Sequence, residues 1–202
     1  MLSVAIATEN LDYDGEIYRH LLARLLGRDI SRWAPLSPVR FTGWRMVRDQ
    51  APAYLELAYR GGVRHSLVAI DNDGGRRRAP EHEGAHDISV QAADPDGCRV
   101  CLLLHALSGT WADGSGCKCI VVPVQAMETW LLALRGFAFP EGSPEERFDR
   151  RALKRDFFGK PTPPEAERTR LALKELERPD AIGVLRRRRS FRHFESQLVD
   201  WK

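Results

Sequence analysis

The sequence predicts an α/β fold, a parallel sheet flanked by helices. Two apolar runs, residues 2–7 and 66–70, end abruptly in polar and acidic residues. Helical spacing of apolar residues separates them, and 202 residues with 43% apolar and 29% charged content suffice for one full core and a small appendage. We therefore expect an α/β domain over 1–136 and a helical C-terminal extension over 137–202 packed on it.

The first run is interrupted only by Ser3 before Thr8-Glu9-Asn10. Such a run reads as a strand buried on both faces, as parallel strands are. Residues 15–26 follow with Ile17, Leu21, Leu22, Leu25 and Leu26 on a helical spacing that Gly27 closes. A second strand is expected at 39–41. Residues 44–60 suit a helix, with a break or kink at Pro52, which cannot donate its backbone hydrogen bond. Gly61-Gly62 punctuates the chain before Ser66-Leu67-Val68-Ala69-Ile70, a strand running directly into Asp71-Asn72-Asp73-Gly74-Gly75.

Residues 74–97 turn polar and read as a long inserted loop, the insertion as a whole covering 74–101. Residues 99–107 are expected to be helical, because a parallel sheet needs a crossover before the next strand at 119–124. A helix over 125–134 then carries Met127, Trp130, Leu131 and Leu134 on one face. Charged helical segments are expected near 164–176 and 190–201.

The net charge of +3 says little by itself, but its distribution is uneven. Arg76-Arg77-Arg78 and Arg186-Arg187-Arg188-Arg189 are compact basic runs, and Lys154 and Arg155 lie in a third basic stretch. These clusters either contact nucleic-acid phosphates or form solvated faces. The absence of long apolar runs and of a basic leader predicts neither a signal peptide nor a membrane span, hence a cytoplasmic protein.

Cys98-x-x-Cys101 and Cys117-x-Cys119 are clustered as metal ligands are, more than as a disulfide framework. His82-Glu83-Gly84-Ala85-His86 matches the zinc-protease pattern formally, but Gly84 and the lack of an apolar face argue against that helix. His82 and His86 with Cys98 and Cys101 instead have the pair spacings of a closed structural Zn²⁺ site that would pin the loop. A four-cysteine site using Cys117 and Cys119 is the alternative.

The acids carry the main functional expectation. If the strands ending at Glu9 and Asp71 are neighbours in a parallel sheet, their C-terminal ends share one edge. Asp71 and Asp73 project the same way by the period of two in an extended chain, and carboxylate oxygens are the ligands Mg²⁺ or Mn²⁺ takes. The alternative is a simple turn, for which Asp, Asn and Gly are suited.

At these residues the sequence resembles the Toprim-like, Rossmannoid fold. Val4-Ala5-Ile6-Ala7-Thr8-Glu9 and Leu67-Val68-Ala69-Ile70-Asp71-Asn72-Asp73-Gly74 match its glutamate and Asp-x-Asp motifs in type and order, although Asn10 stands where many members carry Gly. Two further stretches resemble a group of bacterial Toprim-like proteins distantly related to OLD-type nucleases. One, residues 122–133, reads PVxxxExWLLA from Pro123; the other is Ser190-Phe191-Arg192-His193-Phe194, or SFRxF.

The resemblance implies a Mg²⁺-dependent phosphodiesterase or nuclease, a hydrolase of bacterial defence or nucleic-acid processing. Asp71 and Asp73 would be metal ligands, and Glu9 the acid/base or a further ligand. Glu128, at the start of its helix, either joins that edge or is simply a charge favoured by the helix dipole. A partner ATPase is implied as well, since Toprim nucleases often work with ATP-driven modules; no phosphate-binding P-loop motif is read in this sequence. The rival expectation is a non-catalytic Toprim-like scaffold or interaction subunit of an ATPase-containing complex, and either reading allows an oligomer.

Overall fold

The computed structural model describes residues 1–36, 39–71, 99–110, 116–123, 126–136 and 150–201, the side chain of Arg150 excepted. Asp73, Arg76, Arg77, Arg78, His82, His86, Cys98 and the expected 74–97 loop lie outside the described residues.

Among the described residues four strands form one sheet: β1 (Leu2–Thr8), β2 (Ile30–Arg32), β3 (His65–Ala69) and β4 (Cys117–Val121). Their order is β2-β1-β3-β4 and every pairing is parallel. Parallel neighbours need crossovers, which α1 (Asp14–Leu26), α2 (Trp44–Arg60) and α3 (Arg99–Ala106) supply. The α/β fold with a parallel sheet flanked by helices is thus as expected.

Period-two alternation divides the strands between two cores. Val4 and Ile6 of β1, Leu67 and Ala69 of β3, and Cys119 and Val121 of β4 face one apolar cluster. Ala5, Ala7, Val68, Ile70, Ile120 and Val122 face the other, covered by α2 and α3. Residues Val4 to Ala7 are wholly buried, which is why β1 reads as an apolar run rather than an alternating one. Helix α1 buries Ile17, Tyr18, Leu21 and Leu22 and ends at Gly27, whose φ of 63° is the left-handed conformation a glycine cap allows.

The first cluster is completed by α4 (Glu128–Leu134), α5 (Arg150–Phe158), α6 (Glu165–Leu176), α7 (Ala181–Leu185), α8 (Arg189–Ser196) and a 3-10 turn, Val199–Trp201. Leu153, Phe157, Leu176, Leu185, Phe191, Phe194 and Trp201 belong to the same core as Ile6 and Leu67. The C-terminal helices therefore form a layer of the domain's own core. Trp130 of α4 lies at its centre. The indole Nε1–H donates to Ser190 Oγ at 2.9 Å, and the ring lies edge-on to Phe191 and stacked on Phe194, with centroids 5.2 and 6.3 Å away. The stretches reading PVxxxExWLLA and SFRxF thus meet in three dimensions.

Three expectations are corrected. The second strand is not at 39–41 but at Ile30–Arg32; Leu2 N–H donates to the Asp29 carbonyl and Trp33 N–H to that of Val4, each at 2.8 Å. Phe41 instead packs edge-on against Tyr54, 5.5 Å between centroids, as a loop anchor on α2. Pro52 does not end the helix, since α2 runs from Trp44 to Arg60 with Pro52 inside it. Ala51, Tyr54, Leu55 and Ala58 are buried around it, so tertiary packing offsets the lost backbone bond. The fourth strand begins at Cys117, two residues before its expected start.

The outer edge of β4 is partly closed by a side chain. Gln197 Nε2 donates to the Ile120 carbonyl at 2.8 Å, and Gln197 Oε1 accepts from Ile120 N–H at 2.9 Å, so one amide imitates a further strand. Gln197→Ala is expected to destabilise the protein by about 1–3 kcal/mol by leaving both backbone groups unsatisfied. Urea unfolding of the two proteins measures this, and equal midpoints would show that the contact contributes nothing.

Among the described residues no helix is long and apolar enough to cross a membrane.

Candidate functional site

The strand order places β1 and β3 side by side while the chain leaves β1 toward β2 on one flank and returns to β3 on the other. Ligand crevices form beyond the carboxyl ends of strands at such a reversal, where successive crossovers diverge to opposite faces. Register pairs Thr8 with Ala69 and Ala69 with Val121, so the three strands end nearly level. Glu9 then follows β1 directly, and Asp71 follows β3 by two residues.

The two acids are joined. Glu9 Oε1 accepts the Asp71 backbone N–H at 3.2 Å, and Asp71 Oδ1 accepts that of Met127 at 3.2 Å. Backbone donors thereby orient one oxygen of each carboxylate. Arg99, which is buried, donates from its guanidinium to the Asp71 carbonyl at 2.9 Å and lies over the Trp44 ring at 4.1 Å. Asp71 is thus tied to β1, α3 and the start of α4.

Glu128 lies beside this edge and is 1% exposed. The Tyr13 hydroxyl is 3.5 Å from Glu128 Oε1 and Lys154 Nζ is 4.0 Å from the same oxygen, both at the outer limit of contact. Tyr13 is itself buried. Burial first, then the negative charges of Glu128, Asp14 and Asp71, push its hydroxyl well above the usual tyrosine range. Tyr13 therefore stays protonated at neutral pH.

Of the expected acids, Glu9 and Asp71 are joined at one edge, Glu128 follows Met127, which donates to Asp71, and Asp73 lies outside the described residues. Sequence reasoning missed Tyr13 and Arg99. Each acts across the fold on a residue distant in sequence, and neither sits in a spacing that announces it. Lys154 was expected among phosphate contacts, but it faces Glu128. Arg155 pairs with Asp156 at 3.4 Å on the surface, and Arg186 is held in a fork by Glu195, with 2.7 Å for the closest approach. The fork ties Arg186, which remains 57% exposed, to α8. Arg187 and Arg188 border a separate groove at the end of α4 near Leu134. That end lies about 9 Å along the helix from Glu128, by helical rise.

Among the described residues, no group of three or more His, Cys, Asp or Glu side chains is placed to hold a metal ion. Glu9 and Asp71 supply two carboxylates, and Mg²⁺ ordinarily takes only one or two directly from the protein. The hard oxygen donors present therefore fit such an ion. The structure does not support the zinc-stabilised loop. Cys101, the described member of the expected ligand set, is wholly buried in the cluster between the sheet and α2 and α3. Cys119 is buried in the opposite cluster, its thiol pushed upward by that burial, and Cys117 packs against the same side. One four-cysteine site cannot span both faces of the sheet.

Burial also raises Tyr18 well above the usual range and Tyr54 to about 12. An unfolded tyrosine ionises near pH 10. A raised folded-state pKa means that the native protein keeps a proton the unfolded chain has released, so stability is full below about pH 10 and is lost as pH rises beyond it. Urea midpoints should hold to that pH and fall above it, with a shallower fall in Tyr13→Phe/Tyr54→Phe. An identical fall in that variant would exclude these hydroxyls as its cause.

Comparison with protein-family models, with curated proteins and with solved structures finds no match.

Proposed function

We propose that the protein is a Toprim-like, Mg²⁺- or Mn²⁺-dependent phosphodiesterase or nuclease acting on nucleic acid. The observation that carries this reading is the direct link from Glu9 to Asp71 across adjacent parallel strands at the reversal of strand order. Two acids 62 positions apart in sequence are brought to one edge, in the order the resemblance requires.

In this reading Glu9, Asp71 and Asp73 hold the ion. A bound divalent ion supplies charge stabilisation to a phosphoryl group and lowers the pKa of water. The chain's own residues do the rest. The backbone donors of Asp71 and Met127 keep Glu9 and Asp71 aimed, which avoids reorganisation as charge develops. Arg99 secures the backbone at Asp71 through its carbonyl. Glu128 adds negative charge at the edge, and Lys154 faces it from α5. Tyr13, buried and protonated, is unsuited to covalent attack on phosphorus, which favours water as nucleophile and hydrolysis as outcome. An ATPase partner and a role in bacterial defence remain part of the proposal on the resemblance alone.

Purified protein incubated with single-stranded and duplex DNA and RNA should cleave at least one of them with Mg²⁺ or Mn²⁺ and none with EDTA. A folded protein that binds divalent metal at Glu9 and Asp71 yet cleaves nothing would overturn the enzymatic reading. It would favour the non-catalytic scaffold.

A further inference from the structure

We infer that the groove beside Glu9 seats a nucleobase of a single-stranded nucleic-acid substrate on the face of Trp33; this rests on the reading of the protein as a nucleic-acid phosphodiesterase. The groove, about 660 Å³, runs from Glu9 and Asn10 past Trp33 and Tyr54 to Arg40. That volume falls in the range of small-ligand sites. Glu9, the partner of Asp71, lines it, so a strand lying in it would pass from the aromatic wall to Glu9.

The wall is built as a platform. Trp33 is only partly buried, whereas Phe41 and Tyr54 behind it are buried. Tyr54 packs on both, 5.3 Å from Trp33 and 5.5 Å from Phe41 between centroids, and its hydroxyl donates to the Trp33 carbonyl at 3.3 Å. Trp33 N–H donates to the Val4 carbonyl at 2.8 Å, fixing the backbone to β1. An indole held this way loses little freedom on binding. All three rings line the groove, and Trp33, packed on the same core cluster, is the one of them that is not fully buried.

Charge along the groove is mixed, with Glu9, Asp12 and Glu165 against Arg32 and Arg40. The groove's acids are partly compensated: Asp12 lies 4.0 Å from Arg32, while Glu165 takes the Asn10 amide and lies 3.7 Å from Arg168. Arg40 stands exposed at the far rim, where a phosphate of the same strand would pass. Every base offers a π-face, so stacking is sequence-tolerant, but a duplex hides those faces. The chemistry therefore selects an unpaired strand.

Fluorescence anisotropy in EDTA with a short labelled oligothymidylate and a hairpin duplex tests this on the full chain. Trp33→Leu keeps apolar bulk and removes the ring, and should weaken single-strand binding by about tenfold while leaving duplex binding unchanged. Trp33→Phe should retain most of the affinity. The surface change Arg40→Gln, which does not touch the core, should lower the salt dependence by about one phosphate contact. Wild-type single-strand affinity in both Trp33→Leu and Arg40→Gln would overturn the inference, as would thymidine monophosphate binding as tightly as the oligonucleotide. Because binding is read without metal, the two readings fail separately. Cleavage with no role for Trp33 strikes this inference, whereas a strand held on Trp33 but never cut with Mg²⁺ strikes the nuclease reading.

Discussion

Asp71→Asn is expected to reduce Mg²⁺-dependent phosphodiester cleavage by at least about a hundredfold, the scale of loss when a preorganised charge-stabilising group is removed from a reaction centre. The substitution is chosen for its shape. An asparagine Oδ1 can still accept the Met127 N–H that Asp71 accepts at 3.2 Å, so the start of α4 keeps its tether while the ion loses a charged ligand. Glu9→Gln follows the same logic, because a glutamine oxygen can still accept the Asp71 N–H. Neither change should lower stability in the absence of metal, and removing one of two neighbouring negative charges favours the metal-free fold. Cleavage rates measured with saturating Mn²⁺, alongside thermal unfolding in EDTA, separate chemistry from folding. Undiminished cleavage in the Glu9→Gln/Asp71→Asn double variant would remove these acids from the mechanism.

Trp130→Ala is expected to cost about 3–5 kcal/mol, the range for deleting a large buried aromatic side chain. Trp130 is fully buried, and its indole is both a packing surface for Tyr18, Phe191 and Phe194 and a hydrogen-bond donor to Ser190. Truncation leaves a cavity between the sheet-side core and α8 and orphans the Ser190 hydroxyl in a buried place. With total stabilities of about 5–15 kcal/mol for ordinary domains, this change takes a large share. Urea denaturation at neutral pH measures it, and Ser190→Ala should cost far less because only the hydrogen bond is lost. A Trp130→Ala loss of under about 1 kcal/mol would mean that the C-terminal helices are not held through this ring.

Which parts of this molecule can be read from its sequence follows from where the determining interactions lie. β1 and β3 are legible because a strand buried on both faces is a continuous apolar run, and the acids that end both runs mark the carboxyl edge. β2 is not legible: it is three residues long with one buried apolar residue, Ile30, and its identity resides in backbone pairing with β1. Val39 and Phe41 imitate a strand by alternation while serving as loop contacts. Pro52 marks a break by local rules, yet the buried faces on either side of it hold α2 together.

The site divides in the same way. Glu9 and Asp71 could be paired in advance because parallel topology predicts their convergence. Arg99, Tyr13 and the approach of Lys154 to Glu128 are set by packing of remote elements, which no local spacing records. Of the residues that the Cys-x-x-Cys spacing singled out, Cys101 is buried on the inner face of α3, and Cys98 lies outside the described residues. The pairing of Arg186 with Glu195, nine residues later and across the turn between α7 and α8, is likewise not recorded by local spacing.

Manganese binding followed by electron paramagnetic resonance tests the central claim most directly, because it reads the ion at the acidic edge whether or not a substrate is known. Wild-type protein should take up Mn²⁺ and release it on addition of excess Mg²⁺, and both Glu9→Gln and Asp71→Asn should bind it more weakly while remaining folded. A folded wild-type protein that takes up no Mn²⁺, or variants that bind it as tightly as wild type, would contradict a metal centre built on Glu9 and Asp71.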